Sequence, residues 1–281
     1  MVMKYMEFQF ETNDGSILYA REWQPESEQR GVICLVHGLG EHSGRYANLA
    51  MALTQEGYTL LTYDQRGHGQ SLGQRGHVPS YEALLDDIDS FGRESARRFP
   101  YLPLFLYGHS LGGNLVLNYV LRRKSTFVGV IATSPWLRLA FQPSALKVKL
   151  ALVMNKLWPS FSQSSGLDPS ALSHDIAVVE AYRVDPFVHD QISARLFSAV
   201  YQAGLWAIEN AGQFDKPLLL MHGEGDRITS VEATKQFAKQ VQQDCTLKIW
   251  QGLYHELHNE LEKVEIMDYL INWLKSKTPT S

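Results

Sequence analysis

Gly108-His109-Ser110-Leu111-Gly112 is a G-x-S-x-G sequence set directly after the apolar run LPLFLY and before the helix-like GNLVLNYVLRR. A serine at such a strand-to-helix turn projects its hydroxyl from the carboxyl end of a sheet, and the flanking glycines relieve crowding where strand and helix approach. The helix start behind it offers oriented N–H groups to developing negative charge. That chemistry is attack on an acyl carbon. A serine hydroxyl is a poor nucleophile at neutral pH, so it needs a base, and the base needs a partner that fixes its tautomer.

With this turn the acid follows the serine and the histidine comes last. Asp226 ends KPLLLMHGEGD, just past an apolar run, and His255 follows the run TLKIW in QGLYHELHNE. Asp64 in YDQRGHG and Asp185 are rival acids, and His222, which precedes Asp226, reads as structural. His258 lies three residues after His255, one short of the His-Glu-x-x-His spacing of a helical zinc site. His255, nearer the strand end, is therefore the expected base, with His258 opening a helical run. No metal or organic cofactor is required. Two amides would meet the oxyanion, Leu111 after the serine and Leu39 in VHGLGEHSGRY after an earlier strand.

The elements that must position these groups read as an α/β protein. GVICLVHG, YTLLTYD, LPLFLYGH, FVGVIAT and KPLLLMHG are near-continuous apolar runs, as parallel strands covered on both faces would be. Helix-length segments alternate with them, such as 80–99 with Ser80 as its N-cap. At the start, MEFQFET and SILYAREW alternate around Asn13-Asp14-Gly15, a hairpin signal. The alternation breaks from about 135 to 213, too long for a plain loop. This segment is expected to form a helical cap over a core made of 1–134 and 214–281.

Bulk properties narrow the function classes. The 281 residues suit one large α/β domain, with 44% hydrophobic and 20% charged residues. A formal charge of -4 supplies no basic footprint for nucleic acid. Cys34 and Cys245 are the only cysteines and build no disulfide framework, so a reducing compartment is the simpler expectation. MVMKYMEFQFETNDGS has no apolar region of signal-peptide length, and no stretch approaches 18 uncharged apolar residues. The expectation is a soluble, cytoplasmic protein.

HGLGEHSGRY, YDQRGHGQS, GHSLGG, HGEGDRI and YHELHNE, together with LDPSALSHD and AYRVDP in the cap, resemble the monoacylglycerol lipases and lysophospholipases of the α/β-hydrolase superfamily. The likeness runs from about residue 31 to the end of the chain. It implies Ser110, Asp226 and His255 as nucleophile, acid and base, and Leu39 and Leu111 as oxyanion donors, in agreement with the residues read above. It adds a small polar head-group pocket lined by Glu41, Arg45, Tyr182 and His258, and loop-ordering roles for Asp64, Arg66 and His68. It also implies an acyl tunnel, which Leu146, Leu150, Leu152, Val153, Leu157 and Trp158 would suit; with Lys147, Lys149 and Lys156 among them, they form either a buried cap helix or a lid that touches lipid aggregates. The implied partner is a small amphiphilic ester, a monoacylglycerol or lysophospholipid, with transient membrane or lipid-aggregate contact through the cap. Rival readings are a small-ester carboxylesterase and a proline-type aminopeptidase that uses Asp168, Asp175, Glu180 and Asp185 of the cap. A dehalogenase would carry aspartate at the elbow, and a non-enzymatic scaffold would lack a triad member.

Overall fold

The computed structural model describes residues 3–141 and 143–278. The chain opens with the expected hairpin, β1 (Lys4–Glu11) antiparallel to β2 (Ile17–Gln24), with Gly15 at φ +82° in the turn. There follow β3 (Gly31–Val36), α1 (Ala47–Gln55), β4 (Tyr58–Tyr63), α2 (Tyr81–Arg98), β5 (Leu104–His109), α3 (Leu111–Arg122) and β6 (Gly129–Thr133). The interruption contains α4 (Ala145–Leu157), a short pair β7 (Ser162–Ser164) and β8 (Gln191–Ser193), α5 (Ile176–Val184) and α6 (Ala194–Asn210). The chain returns through β9 (Leu218–Gly223), α7 (Val231–Gln240), β10 (Cys245–Trp250) and α8 (Lys263–Lys277).

Eight strands form one sheet in the order β1-β2-β4-β3-β5-β6-β9-β10, antiparallel only where β2 meets β1 and β4. The apolar runs are continuous because both faces are covered. Along β3, Val32, Cys34 and Val36 join one core with residues of α2, α3, α6 and α7, while Ile33 and Leu35 face the other, with α1 and α8. Ser80 caps α2 by accepting from the Ala83 amide, as its position predicts.

Two elements differ from the expectation. α6 falls inside the interrupted region, yet Leu196, Val200, Ala207 and Ile208 belong to the main core. The Asn114 and Asn118 amides of α3 donate to its carbonyls at Val200 and Ala203. α6 thus packs as a core layer, together with Trp136, Leu137 and Ile192 of the same interrupted region. His258 does not begin a helix. It sits in a 3₁₀ turn, Leu257–Asn259, and α8 starts only at Lys263. Among the described residues no helix is long and apolar enough to cross a membrane.

Candidate active site

Ser110 stands between β5 and α3 with φ 54° and ψ −113°, a conformation costly for a residue with a side chain. Its neighbours hold it there. The Ser110 amide donates to Thr133 O at 3.0 Å, and its carbonyl accepts from Asn114 N at 3.0 Å and Trp136 N at 2.9 Å. A Cβ at 108 would fall 2.2 Å from the Gly112 carbonyl oxygen, and one at 112 would fall 1.9 Å from that of Val36. Both glycines are therefore needed for the helix to leave the strand so sharply. The first amides of α3 have no intrahelical acceptor, which leaves that of Leu111 available at the turn.

Asp226 follows β9 and is almost wholly withdrawn from water. Its Oδ1 accepts from the Ile228 and Thr229 amides at 2.7 and 3.0 Å. Its Oδ2 lies 2.7 Å from His255 Nδ1, 3.0 Å from His222 Nε2 and 2.8 Å from the Thr229 hydroxyl. Burial alone would raise the carboxyl pKa, but the His255 charge and the hydrogen bonds from His222 and His255 outweigh it and hold it below the ordinary carboxylate range. For His255 the balance runs the other way. Burial disfavours the imidazolium, yet the charge and hydrogen bond of Asp226 more than offset this and lift the pKa above its ordinary value. With Nδ1–H directed at a carboxylate, Nε2 is left as the proton acceptor.

Ser134, immediately after β6, joins these loops. It too has a positive φ, 45°, and its hydroxyl donates to the His255 carbonyl at 2.8 Å. Its amide donates to Met221 O, and its carbonyl accepts from the Thr229 hydroxyl at 3.0 Å. The rival acids are committed elsewhere. Asp64 accepts from the amides of Ser43 and Gln70, and Asp185 pairs with His42 Nε2 at 2.8 Å. Arg66 is clamped by both oxygens of Asp87 at 2.6 Å, and His68 Nδ1 meets Arg66 O at 3.0 Å, as loop-ordering groups would.

The Gly38-Leu39-Gly40 turn after β3 lies beside the serine. A Cβ at 38 would stand 3.3 Å from Ser110 Cβ and 2.8 Å from Glu41 Oε1. Gly40 has φ +76°, and a side chain there would strike the His189 carbonyl oxygen of the cap at 2.2 Å. His189 N also donates to Gly40 O at 2.9 Å, so cap and turn are in direct contact.

A cavity of about 700 Å³ opens between core and cap, and Ser110, His255 and Leu39 all reach its wall. Leu150, Met154, Trp136 and Phe197 make one part apolar, and Glu41, Tyr182 and Glu256 give it a polar end. Two of the four expected head-group residues lie behind that wall. Arg45 sends Nη1 to Glu41 at 3.1 Å, grips both oxygens of Glu256 at 2.5 and 2.8 Å, and lies 4.8 Å from the centre of the Tyr182 ring. His258 is buried and stacks on Tyr46 with ring centres 4.7 Å apart, and it meets His109 edge-on at 5.1 Å. Burial lowers its pKa, so it is a neutral imidazole.

Sequence reasoning missed Glu256, His222 and Thr229 as members of this constellation. Only their adjacency to His255 and Asp226 could have pointed to them. On the cap, Leu146, Leu150, Val153 and Leu157 are spaced 4, 3 and 4 residues apart on α4 and are exposed together with Trp158. Leu152 is half-buried, Lys149 and Lys156 are exposed, and the side chain of Lys147 lies outside the described residues.

The family model described as serine aminopeptidase, S33, matches residues 27–262. A monoacylglycerol lipase of Mycolicibacterium smegmatis is 33% identical over 90% of this chain and 91% of its own length. An uncharacterized abhydrolase domain-containing protein of Dictyostelium discoideum is 39% identical over 95% of this chain, which spans only 28% of that longer protein. Among solved structures, the monoacylglycerol lipase of Paleococcus ferrophilus superposes with a TM-score of 0.83 at 34% identity, over 99% of this chain and 100% of its own. With its mostly parallel sheet, elbow serine and cap, the chain belongs to the monoacylglycerol-lipase-like α/β hydrolases.

Proposed function

We propose that this protein is a serine carboxylic-ester hydrolase that cleaves monoacyl lipids, monoacylglycerol or lysophospholipid, through an acyl-enzyme. The observation that carries this reading is an elbow serine and an aspartate-bound histidine on the wall of one cavity, apolar along one part and polar at one end. The Ser110 hydroxyl attacks the ester carbonyl and gives its proton to His255 Nε2. The resulting oxyanion accepts from the Leu39 and Leu111 amides, and Asp226 stabilises the imidazolium. As the tetrahedral intermediate collapses, the alkoxide leaves with the proton from His255. Water, deprotonated by the same nitrogen, then attacks the acyl-serine and frees the fatty acid.

The apolar wall suits the acyl chain. Glu41 and Tyr182 suit contact with the alcohol, Arg45 orders the polar end, and His258 supports it from beneath. The exposed α4 stripe suits transient contact with a lipid aggregate, which would concentrate the enzyme where its substrate resides. The aminopeptidase reading requires free acids in the cap, and those acids are engaged. Asp168 and Asp175 cap short helices, Glu180 pairs with Arg183, and Asp185 pairs with His42.

A fluorophosphonate probe tests the core of the proposal. Labelling of the wild type and its loss in Ser110→Ala is the expected result, and an unlabelled wild type refutes it. Fatty-acid release from monoolein, lysophosphatidylcholine and p-nitrophenyl esters of rising chain length tests the substrate. A preference for acetate or butyrate esters over monoolein would make the protein a small-ester carboxylesterase.

A further inference from the structure

Arg45 stands just behind Glu41, Tyr182 and Glu256 of the cavity wall, and a guanidinium fork is the side chain best shaped to hold a phosphate or carboxylate. Here the fork is already filled. Glu256 takes Nη1 and Nη2 through separate oxygens, and Asn259 Nδ2 donates to its Oε2 at 2.9 Å. Glu41 takes Nη1 as well, while its Oε1 accepts from Gly38 N at 2.6 Å and Tyr46 OH at 2.8 Å. Two carboxylates thus face one cation. Glu41 lies close to the serine, since a single carbon placed at Gly38 would touch both Glu41 and Ser110, and Glu256 lines the same cavity directly after His255. Of the nearby imidazoles, His109 and His258 add no compensating charge, because burial lowers the pKa of both, and His255 is committed to Asp226. Burial would favour a neutral Glu256, but the Arg45 charge and hydrogen bonds keep it ionised. Arg227, a guanidinium of the wall itself, is exposed to water and donates to the Ser170 carbonyl at 3.0 Å, so it offers an anion little.

We propose that Glu256 is a specificity-determining residue: by occupying the Arg45 fork, it makes the alcohol side of the site accept uncharged hydroxylated head groups and reject those that carry a phosphate or carboxylate beside the scissile ester. This inference rests on the monoacyl-ester reading above and divides the substrates it allows. An anionic head group would have to displace Glu256 from Arg45 or sit against unpaired carboxylates, and juxtaposed like charges disfavour binding strongly.

The test compares 1-oleoylglycerol with its 3-phosphate, the same acyl chain in the same neutral detergent micelles, for the wild type, Glu256→Gln and Glu256→Asp. The readout is the ratio of kcat/KM values for the two esters. The wild type favours the uncharged ester. In Glu256→Gln the ratio falls by about tenfold or more, with kcat/KM for the phosphate ester rising, because the fork is partly released and one carboxylate is gone. Glu256→Asp, which keeps the charge but changes the length, retains the preference. A purely structural role predicts the reverse, since glutamine is the closer match in shape. An unchanged ratio in Glu256→Gln, or an equal fall in Glu256→Asp, overturns the proposal. If Glu256→Gln does not fold, Glu41→Gln supplies the same comparison, read as the ratio, and must narrow it. A wild type that hydrolyses neither ester overturns the monoacyl-ester reading and this inference together. Hydrolysis of both esters with a fixed ratio overturns this inference alone.

Discussion

Asp226 accepts hydrogen bonds from two backbone amides and two imidazoles inside the protein, whereas α4 turns Leu146, Val153 and Leu157 to the solvent. The loops after β9 and β10 are held around Asp226 by directed polar contacts in low dielectric, where each direction and distance matters. The cap is tied to the core at its rim, as by His189 N to Gly40 O, Glu256 N to Leu172 O at 2.8 Å and His42 to Asp185, while α4 leaves apolar side chains on its surface. One region is ordered by directed polar contacts, and the other leaves apolar side chains at its surface.

The sharpest break of this contrast lies in the aligned region. Ser110→Ala is expected to lower turnover by roughly 10⁶-fold with little change in thermal stability, measured by ester hydrolysis beside a melting curve. Asp226→Asn should lower kcat by about 10⁴-fold. It should also lower the melting temperature, because it disturbs a buried carboxylate that receives charged and neutral donors. His255→Ala should abolish turnover, whereas His258→Ala mainly shifts substrate preference and stability. Equal loss in both would erase the distinction between a reacting group and one that packs beneath the site.

Gly40→Ala probes the seam between the two regions. A side chain at φ +76° facing the His189 carbonyl should cost about 1–3 kcal/mol by denaturant titration and should raise KM, since cap and oxyanion turn are displaced together. The pH profile sharpens the aligned side. Asp226 raises the His255 pKa, so the free base appears only at higher pH, and kcat/KM should fall on the acid side with an apparent pKa above about 6.5. The linked stability has two parts. The share from Asp226, whose folded pKa is depressed, is present above about pH 3.9 and lost as the pH falls below it. The share from His255, whose folded pKa is raised, is full below about pH 6.5 and lost as the pH rises through the folded value.

The smallest effect on stability is expected in the cap. Val153→Lys and Leu157→Lys should change unfolding free energy by no more than about 0.5 kcal/mol, since both residues are already exposed. They should nevertheless reduce hydrolysis of micellar substrate relative to monomeric short-chain ester. Equal loss on both forms would remove the lipid-contact role assigned to α4.

What was legible in the sequence follows from how local each constraint is. The elbow could be read because its conformation demands glycines at fixed offsets from Ser110, and the sheet because strands buried on both faces lose their polar alternation. The approach of Asp226 and His255, 2.7 Å apart, could be anticipated from their positions after two late, adjacent strands. The Arg45–Glu256 pair could not, because 211 residues separate its members and nothing in either segment refers to the other. The burial of His258 was hidden for a related reason. A histidine beside a reactive one reads as part of the pocket, and only the packing of Tyr46 and His109 around its ring places it beneath. α6 reads as cap by its position in the chain, yet its carbonyls accept from Asn114 and Asn118 of α3, and Gly204 lets it abut the Leu137 carbonyl.

Ser134 has a consequence for engineering. It fixes the acid loop through Thr229, the base loop through the His255 carbonyl and the end of β9 through Met221, all from the last turn before the cap begins. The seam where a foreign cap would be grafted therefore falls just beyond this anchor on one side and just before the core helix α6 on the other. A donor cap spliced between Leu137 and Ile192, both core residues, would inherit these anchored loops, and chimeras could exchange acyl-chain selectivity as a module, provided the donor reproduces the contacts to Gly40 and Glu256.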